Sequence, residues 1–262
     1  MIQLSRSLLW RPLLALAIVG LTSLNVPFLA HGQSTNGPLR VGVSPVFPPM
    51  IFKQGKELKG VEVELARQLG TRLGREIVFV ELPWKDQIEA LNDGRTDIIM
   101  SSMSVTPARR YVVNFSKPYF LTGQMALVRR ENKNEYALGF PYKLNGNVGV
   151  LKATTGEFLV QRDFPKSPIK SFTDSDDAAR ALIKKKINLF ITDSTLVWHL
   201  AGTYANEGLT AVPIPLSEET LAWAVRKHDD ALLASVNEFV IKGNQDGTFL
   251  KVFRRWTAVG DQ

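Results

Sequence analysis

Leu39-Arg40-Val41-Gly42-Val43 alternates as a strand, and Phe47-Pro48-Pro49 stops it in an irregular loop. Apolar residues at 61, 65, 66 and 69 then recur at helical spacing after Gly60. Ile77–Leu82 reads as a second strand, Trp84–Leu91 as a second helix closed by Asn92-Asp93-Gly94, and Asp97–Met100 as a third strand. Strand, helix, strand, helix, strand predicts a parallel sheet with crossover helices.

The theme repeats further along. Val148–Val150 reads as a strand, Thr154-Thr155-Gly156-Glu157 as the start of a helix, and Asp174 as the N-cap of a helix through Ala178, Ala179, Leu182 and Ile183. Leu189–Ile191 is a short buried strand ahead of Asp193. Between the two α/β units Tyr119–Val128 reads as one long strand, with Leu221–Val225 as its return. If both cross between the units, the fold is a two-lobed α/β clamshell, each lobe a mostly parallel sheet with helices, joined by a two-stranded hinge. A ligand cleft is expected between the lobes. The boundaries that follow are residues 33–124 and 218–262 for the first lobe and 125–217 for the second.

The amino terminus adds a targeting signal. Arg6 and Arg11 precede an uncharged stretch from Pro12 to Ala30, followed by small residues at Ala30 and Gly32. This is the layout of a secretory signal peptide over residues 1–32. An uncleaved membrane anchor is the competing reading, against which Asn25 and Pro27 interrupt the run. The mature protein is expected to be soluble and exported.

Composition narrows the chemistry. The 262 residues are 45% hydrophobic and 22% charged, an ordinary globular balance. No cysteine and three histidines make thiol or zinc chemistry improbable, and no cofactor is expected. The formal charge of +7 is scattered, its densest run being Lys184-Lys185-Lys186, which reads as a solvated helix face and not as a nucleic-acid surface.

Three constellations carry candidate chemistry. Ser101-Ser102-Met103-Ser104-Val105-Thr106-Pro107-Ala108-Arg109 sets three hydroxyls at the carboxyl end of a parallel strand, where open α/β sheets bind ligands. Thr106 suits the cap of a helix with Pro107 in its first turn, and Arg109 offers a planar fork for a carboxylate. A Ser/Thr-rich loop with a surface arginine is the plainer alternative. Lys152-Ala153-Thr154-Thr155-Gly156-Glu157 is an anion site or an ordinary helix cap. Asp193, at the end of a buried strand, needs a cation or several donors, or else caps the helix from Ser194. One arginine and one acid on facing lobes match a zwitterion.

These segments, in this order, resemble the polar amino-acid-binding family of bacterial periplasmic solute-binding proteins, the substrate-binding proteins of ABC transporters called family 3. The resemblance runs from Gly60–Ala66 through Trp84–Leu91, Asp97–Arg109 and Val113–Tyr119, then Val148–Thr155, Ile191–Asp193, Asn237, Asp246–Thr248 and Trp256. It implies that Arg109 pairs with a ligand α-carboxylate, helped by Ser102, Ser104 and Thr155, and that Asp193 takes the α-ammonium. Phe47 and Trp84 are implied to sandwich the ligand side chain, with Ser44, Ser101 and Thr154 beside them. Ser44 stands where many members carry an aspartate, Ala153 where a glycine is usual, and Asn188 where an aspartate is common. Val61-Glu62 replaces a common Phe-Asp pair, a change expected to affect packing more than binding.

The implied activity is capture of an L-amino acid without chemistry. Delivery is to an inner-membrane permease with a separate ATPase, since no P-loop pattern occurs in the chain. A monomer is the simplest expectation. Two rivals stay open: an exported cyclohexadienyl or arogenate-type dehydratase, with Glu157 or Glu219 as general acid or base, and a ligand-sensing module that works with a separate receptor.

Overall fold

The computed structural model describes residues 37–257 apart from 137–138, 141–143 and 145, so the expected signal peptide lies outside the described residues. Two five-stranded sheets organise the chain. In the first, Leu39–Val43 is flanked in parallel by Ile77–Glu81 and Ile98–Ile99, and Ala224–Val225 then joins antiparallel, followed by Asn114–Phe115. In the second, Val148–Leu151 is flanked in parallel by Ile169–Phe172 and Leu189–Asp193, with Gln124–Arg129 and Leu209–Val212 antiparallel beyond. Both sheets are therefore mixed, each gaining its antiparallel strands from chain that has crossed between lobes.

Local signals placed the helices. Val61–Leu73 buries Val61, Leu65, Ala66 and Leu69 on one face and ends at Gly74 in the left-handed conformation, φ 63°. Thr106 caps Pro107–Val112 by accepting from the Arg109 amide, and Asp174 caps Ser175–Ile183 by accepting from the Asp177 amide. The run expected as one helix from Trp84 opens as a 3-10 turn, Trp84–Asp86, before the α-helix Gln87–Asn92. Lys184, Lys185 and Lys186 are exposed, but in the turn that ends Ser175–Ile183, with Lys185 at φ 58°.

The crossing differs from the expected long strand. Tyr119–Val128 is two strands, Phe120–Thr122 and Gln124–Arg129, and the return is likewise Glu219–Leu221 and Ala224–Val225. Phe120–Thr122 pairs only with Glu219–Leu221, forming a two-stranded ribbon between the sheets. Gly123 makes the break: a Cβ there would lie 2.0 Å from the Ser217 carbonyl oxygen, so the two crossing segments approach too closely for any side chain.

The first lobe is closed by a buried carboxyl. Glu62, fully buried in the first turn of Val61–Leu73, accepts from the Ser102 amide at 2.9 Å, the Trp223 indole at 2.8 Å and the Tyr119 hydroxyl. Burial pushes its pKa up while these three donors pull it back. The substitution expected to matter mainly for packing thus also holds the backbone of a candidate site residue. Gly123→Ala is expected to lower stability by about 1–3 kcal/mol through overpacking at the crossing, read as a fall in thermal midpoint. An unchanged midpoint would show that the close approach is not a constraint.

Candidate functional site

Arg109 enters the cleft from the third position of its helix, where Thr106 and Pro107 set the turn. One guanidinium nitrogen donates to the Ser104 carbonyl at 2.8 Å, and the group lies 5.2 Å over the Trp84 ring. Burial lowers its pKa, against the attraction of Asp193 and Glu219. It stays cationic. Among the described residues no carboxylate oxygen lies within 4.0 Å of it, so its remaining donors are open to a ligand.

Asp193 ends the strand Leu189–Asp193 at 9% exposure. It occupies the N-cap position of Ser194–Thr203, as the plainer reading expects, but its side chain makes no capping hydrogen bond. Instead Oδ1 accepts from Gln124 Nε2 at 3.2 Å, and the same amide donates to Thr155 Oγ1 at 3.1 Å. Burial, and next the repulsion of Glu219, push the Asp193 pKa up to about 7, while Arg109 and Gln124 pull it down.

The serines divide by task. Ser102 sits at φ 54°, held by Glu62, and its hydroxyl is buried without a partner. Ser104 is buried, and its carbonyl anchors Arg109. Ser101, by contrast, accepts from the Ser44 amide at 2.8 Å, and Thr154 caps Thr155–Asp163 while donating to the Leu151 carbonyl at 2.7 Å. Thr154 thus uses its hydroxyl both ways, whereas Ser101, among the described residues, keeps its O–H free to donate.

Two cavities border the lobes' contact. One of about 370 Å³ is lined by Ser44, Phe47, Trp84, Lys152 and Thr154, and one of about 960 Å³ by Arg109, Thr155 and Glu219. The Trp84 indole donates across the lobes to the Ala153 carbonyl at 2.9 Å, and this bond stands between them. Phe47 meets Trp84 edge-on at 5.3 Å. Ala153 adopts φ 61°, where a glycine would sit without strain, and its amide donates to Glu157 Oε2 at 2.7 Å.

Two cleft residues escaped the sequence reading of the ligand site. Gln124 is fully buried and ties Asp193 to Thr155; a polar residue inside the apolar run from Tyr119 was its only trace. Glu219 faces Arg109 from the ribbon and appeared only as a possible acid or base. Nothing local marks it as a partner of the clamp, because its position depends on the crossing.

The comparisons agree with this geometry. Residues 39–259 match the family described as bacterial extracellular solute-binding proteins, family 3. The L-cystine-binding protein TcyJ of Escherichia coli (strain K12) is 27% identical over 230 residues, 87% of this chain and 85% of that protein. Among solved structures, the ancestral amino acid-binding protein AncCDT-1, a precursor of cyclohexadienyl dehydratase, is 32% identical with a TM-score of 0.76, covering 84% of this chain and 96% of its own. An ancestral arginine-binding protein bound to arginine is 29% identical with a TM-score of 0.78, covering 85% and 99%. Two sheet-and-helix lobes joined by a two-stranded ribbon, with a charged cleft between them and a family match along nearly all of the described chain, lead to one assignment: this chain belongs to the bacterial extracellular solute-binding proteins, family 3.

Proposed function

We propose that this protein captures an L-α-amino acid in its interlobe cleft, outside the cytoplasm, and hands it to a membrane permease driven by a separate ATPase. One observation carries the reading. Asp193 is buried and Arg109 half-buried, and neither has an ion-pair partner within 4.0 Å among the described residues. Leaving a guanidinium and a buried carboxyl without charge partners is costly, and a molecule bearing both signs completes them. An α-amino acid does so, its carboxylate on the guanidinium fork and its ammonium on Asp193.

The names of the relatives support the same ligand class: TcyJ is a cystine-binding protein, and both ancestral structures are amino-acid binders. Periplasmic residence, with residues 1–32 as a cleaved leader, and the lobe boundaries 33–124, 125–217 and 218–262 belong to the same proposal. So does the absence of catalysis. The neighbour described as a dehydratase precursor keeps the enzyme reading as the rival. A thermal-shift screen of residues 33–262 against the twenty amino acids, L-cystine and prephenate separates the two. Ligand at a hundredfold excess over its dissociation constant adds about 2.7 kcal/mol to stability. A shift with amino acids supports capture, whereas a shift with prephenate alone supports the dehydratase.

Arg109→Ala is expected to weaken amino-acid binding by at least about 100-fold while the fold survives, measured by calorimetry. Retained affinity would refute its role as the carboxylate fork.

Asp193→Asn is expected to weaken α-amino acids much more than their des-amino analogues, and to change the pH dependence of the empty protein. With its pKa near 7 in the native state, against about 4 unfolded, Asp193 binds more proton when folded across that window. Stability of the empty protein is therefore lost as pH rises from about 4 through 7. The asparagine variant lacks this loss, so its thermal midpoint should exceed that of the parent at pH 8 and approach it at pH 5. Parallel profiles across that range count against a buried, proton-holding Asp193.

A further inference from the structure

Glu219 is a carboxylate that the clamp of Arg109 and Asp193 does not use. It begins the ribbon strand Glu219–Leu221, opposite Thr122. Its Oε1 accepts from the Ser217 hydroxyl at 2.8 Å, and that hydroxyl in turn accepts from the Gln124 amide at 3.0 Å. Its Oε2 is buried with no partner at all. No lysine or arginine lies within 4.0 Å of it among the described residues. It shares the wall of the larger cavity with Arg109 and Thr155.

Gln124 is common ground for both acids. Its side chain holds Asp193 and Thr155, and its backbone reaches Glu219 through Ser217. Two carboxylates therefore approach one residue, Asp193 from the second sheet and Glu219 from the ribbon. Arg109 is the one cation among the groups that act on Asp193; the others are Glu219, the Gln124 amide and Asp193's own backbone. Behind it, Tyr119 feels both Asp193 and the buried Glu62, which adds no positive charge. Among the groups that act on Asp193, Arg109 is opposed by the like charge of Glu219, and the wall of the larger cavity also carries Glu218 and Arg162, the latter paired with Asp163. Asp193 and Glu219, so placed, disfavour each other's ionised form.

We propose, resting on the amino-acid reading above, that Glu219 is a second carboxylate acceptor for the ligand's α-ammonium, and that its presence couples capture to release of a proton from Asp193. An ammonium has three N–H donors, more than Asp193 alone can satisfy, and the unpartnered Oε2 supplies another acceptor. In the empty cleft Asp193 keeps its proton because Glu219 disfavours its ionised form and no Lys or Arg nitrogen lies within 4.0 Å of either acid among the described residues. The incoming ammonium replaces that proton, which leaves to buffer, and the ligand itself enters and stays a zwitterion.

The test is calorimetry at about pH 6 in phosphate and in imidazole, buffers whose ionisation heats differ, with the L-amino acid giving the largest shift in the screen. The expected result is a buffer-dependent heat equal to release of close to one proton, fading by about pH 8. In Glu219→Gln the like charge beside Asp193 is gone, so the release at pH 6 should fall by half or more, and affinity should drop about tenfold for the amino acid but not for its des-amino analogue. A merely structural Glu219 would weaken both ligands alike and leave the proton count unchanged, which overturns the proposal. If the variant does not fold, the parent protein still decides: heat without buffer dependence overturns the coupling while leaving amino-acid capture standing. No heat with any amino acid overturns both.

Discussion

The carboxyl of Glu62 is the constraint on which the first lobe's half of the cleft depends. It joins the first turn of Val61–Leu73 to three separate parts of the chain: the Ser102 backbone, Tyr119 ahead of the ribbon, and Trp223 on the return segment. Ser102 is held at a φ of 54°, a conformation costly for a residue with a side chain unless its surroundings impose it. Tyr119, Trp223, Phe239 and Phe249 stack around the carboxyl, so its hydrogen bonds form where water does not compete. Removing it leaves three buried donors unmatched at once. Both oxygens of the Glu62 carboxyl are thus engaged, Oε1 by Ser102 and Tyr119 and Oε2 by Trp223.

Within that frame the cleft stores electrostatic free energy. Arg109 is half-buried with no carboxylate oxygen within 4.0 Å among the described residues, while the acids that act on it, Asp193 and Glu219, hydrogen-bond Gln124 and Ser217 instead. Such a site favours a molecule bearing both signs over one bearing either alone, because only the former compensates both desolvated groups. On the proposed reading charge selects the amino-acid backbone, and the smaller cavity offers the side chain an aromatic and aliphatic wall of Phe47, Trp84 and Leu151 beside the exposed Lys152.

One contact between the lobes at the cleft is polar. Trp84 reaches the Ala153 carbonyl, and that carbonyl is aimed by a backbone in the left-handed region that Glu157 stabilises from the next turn. Glu157 therefore has a structural role, tying the loop before its own helix, which accounts for its place in the motif without assigning it a proton. The ribbon supplies the freedom for lobes to separate: two short strands, broken at Gly123, carry few hydrogen bonds to resist bending.

What the sequence by itself determined is what depends on neighbours in the chain. Period-two and helical spacing placed the main strands and helices, small polar residues announced the caps at Thr106, Thr154 and Asp174, and the ordered motifs located Arg109 and Asp193. The resemblance, not periodicity, assigned those two their ligands. Tertiary structure alone decided which hydroxyls remain open, where the crossing strands break, and which groups surround the clamp. Those outcomes rest on contacts between residues far apart in sequence: 161 positions from Glu62 to Trp223, 69 from Gln124 to Asp193 and 31 from Gln124 to Thr155. No local pattern encodes such a pairing, because hydrogen bonding and desolvation respond to what lies within a few ångströms in space, and only the folded chain brings Glu219 to face Arg109.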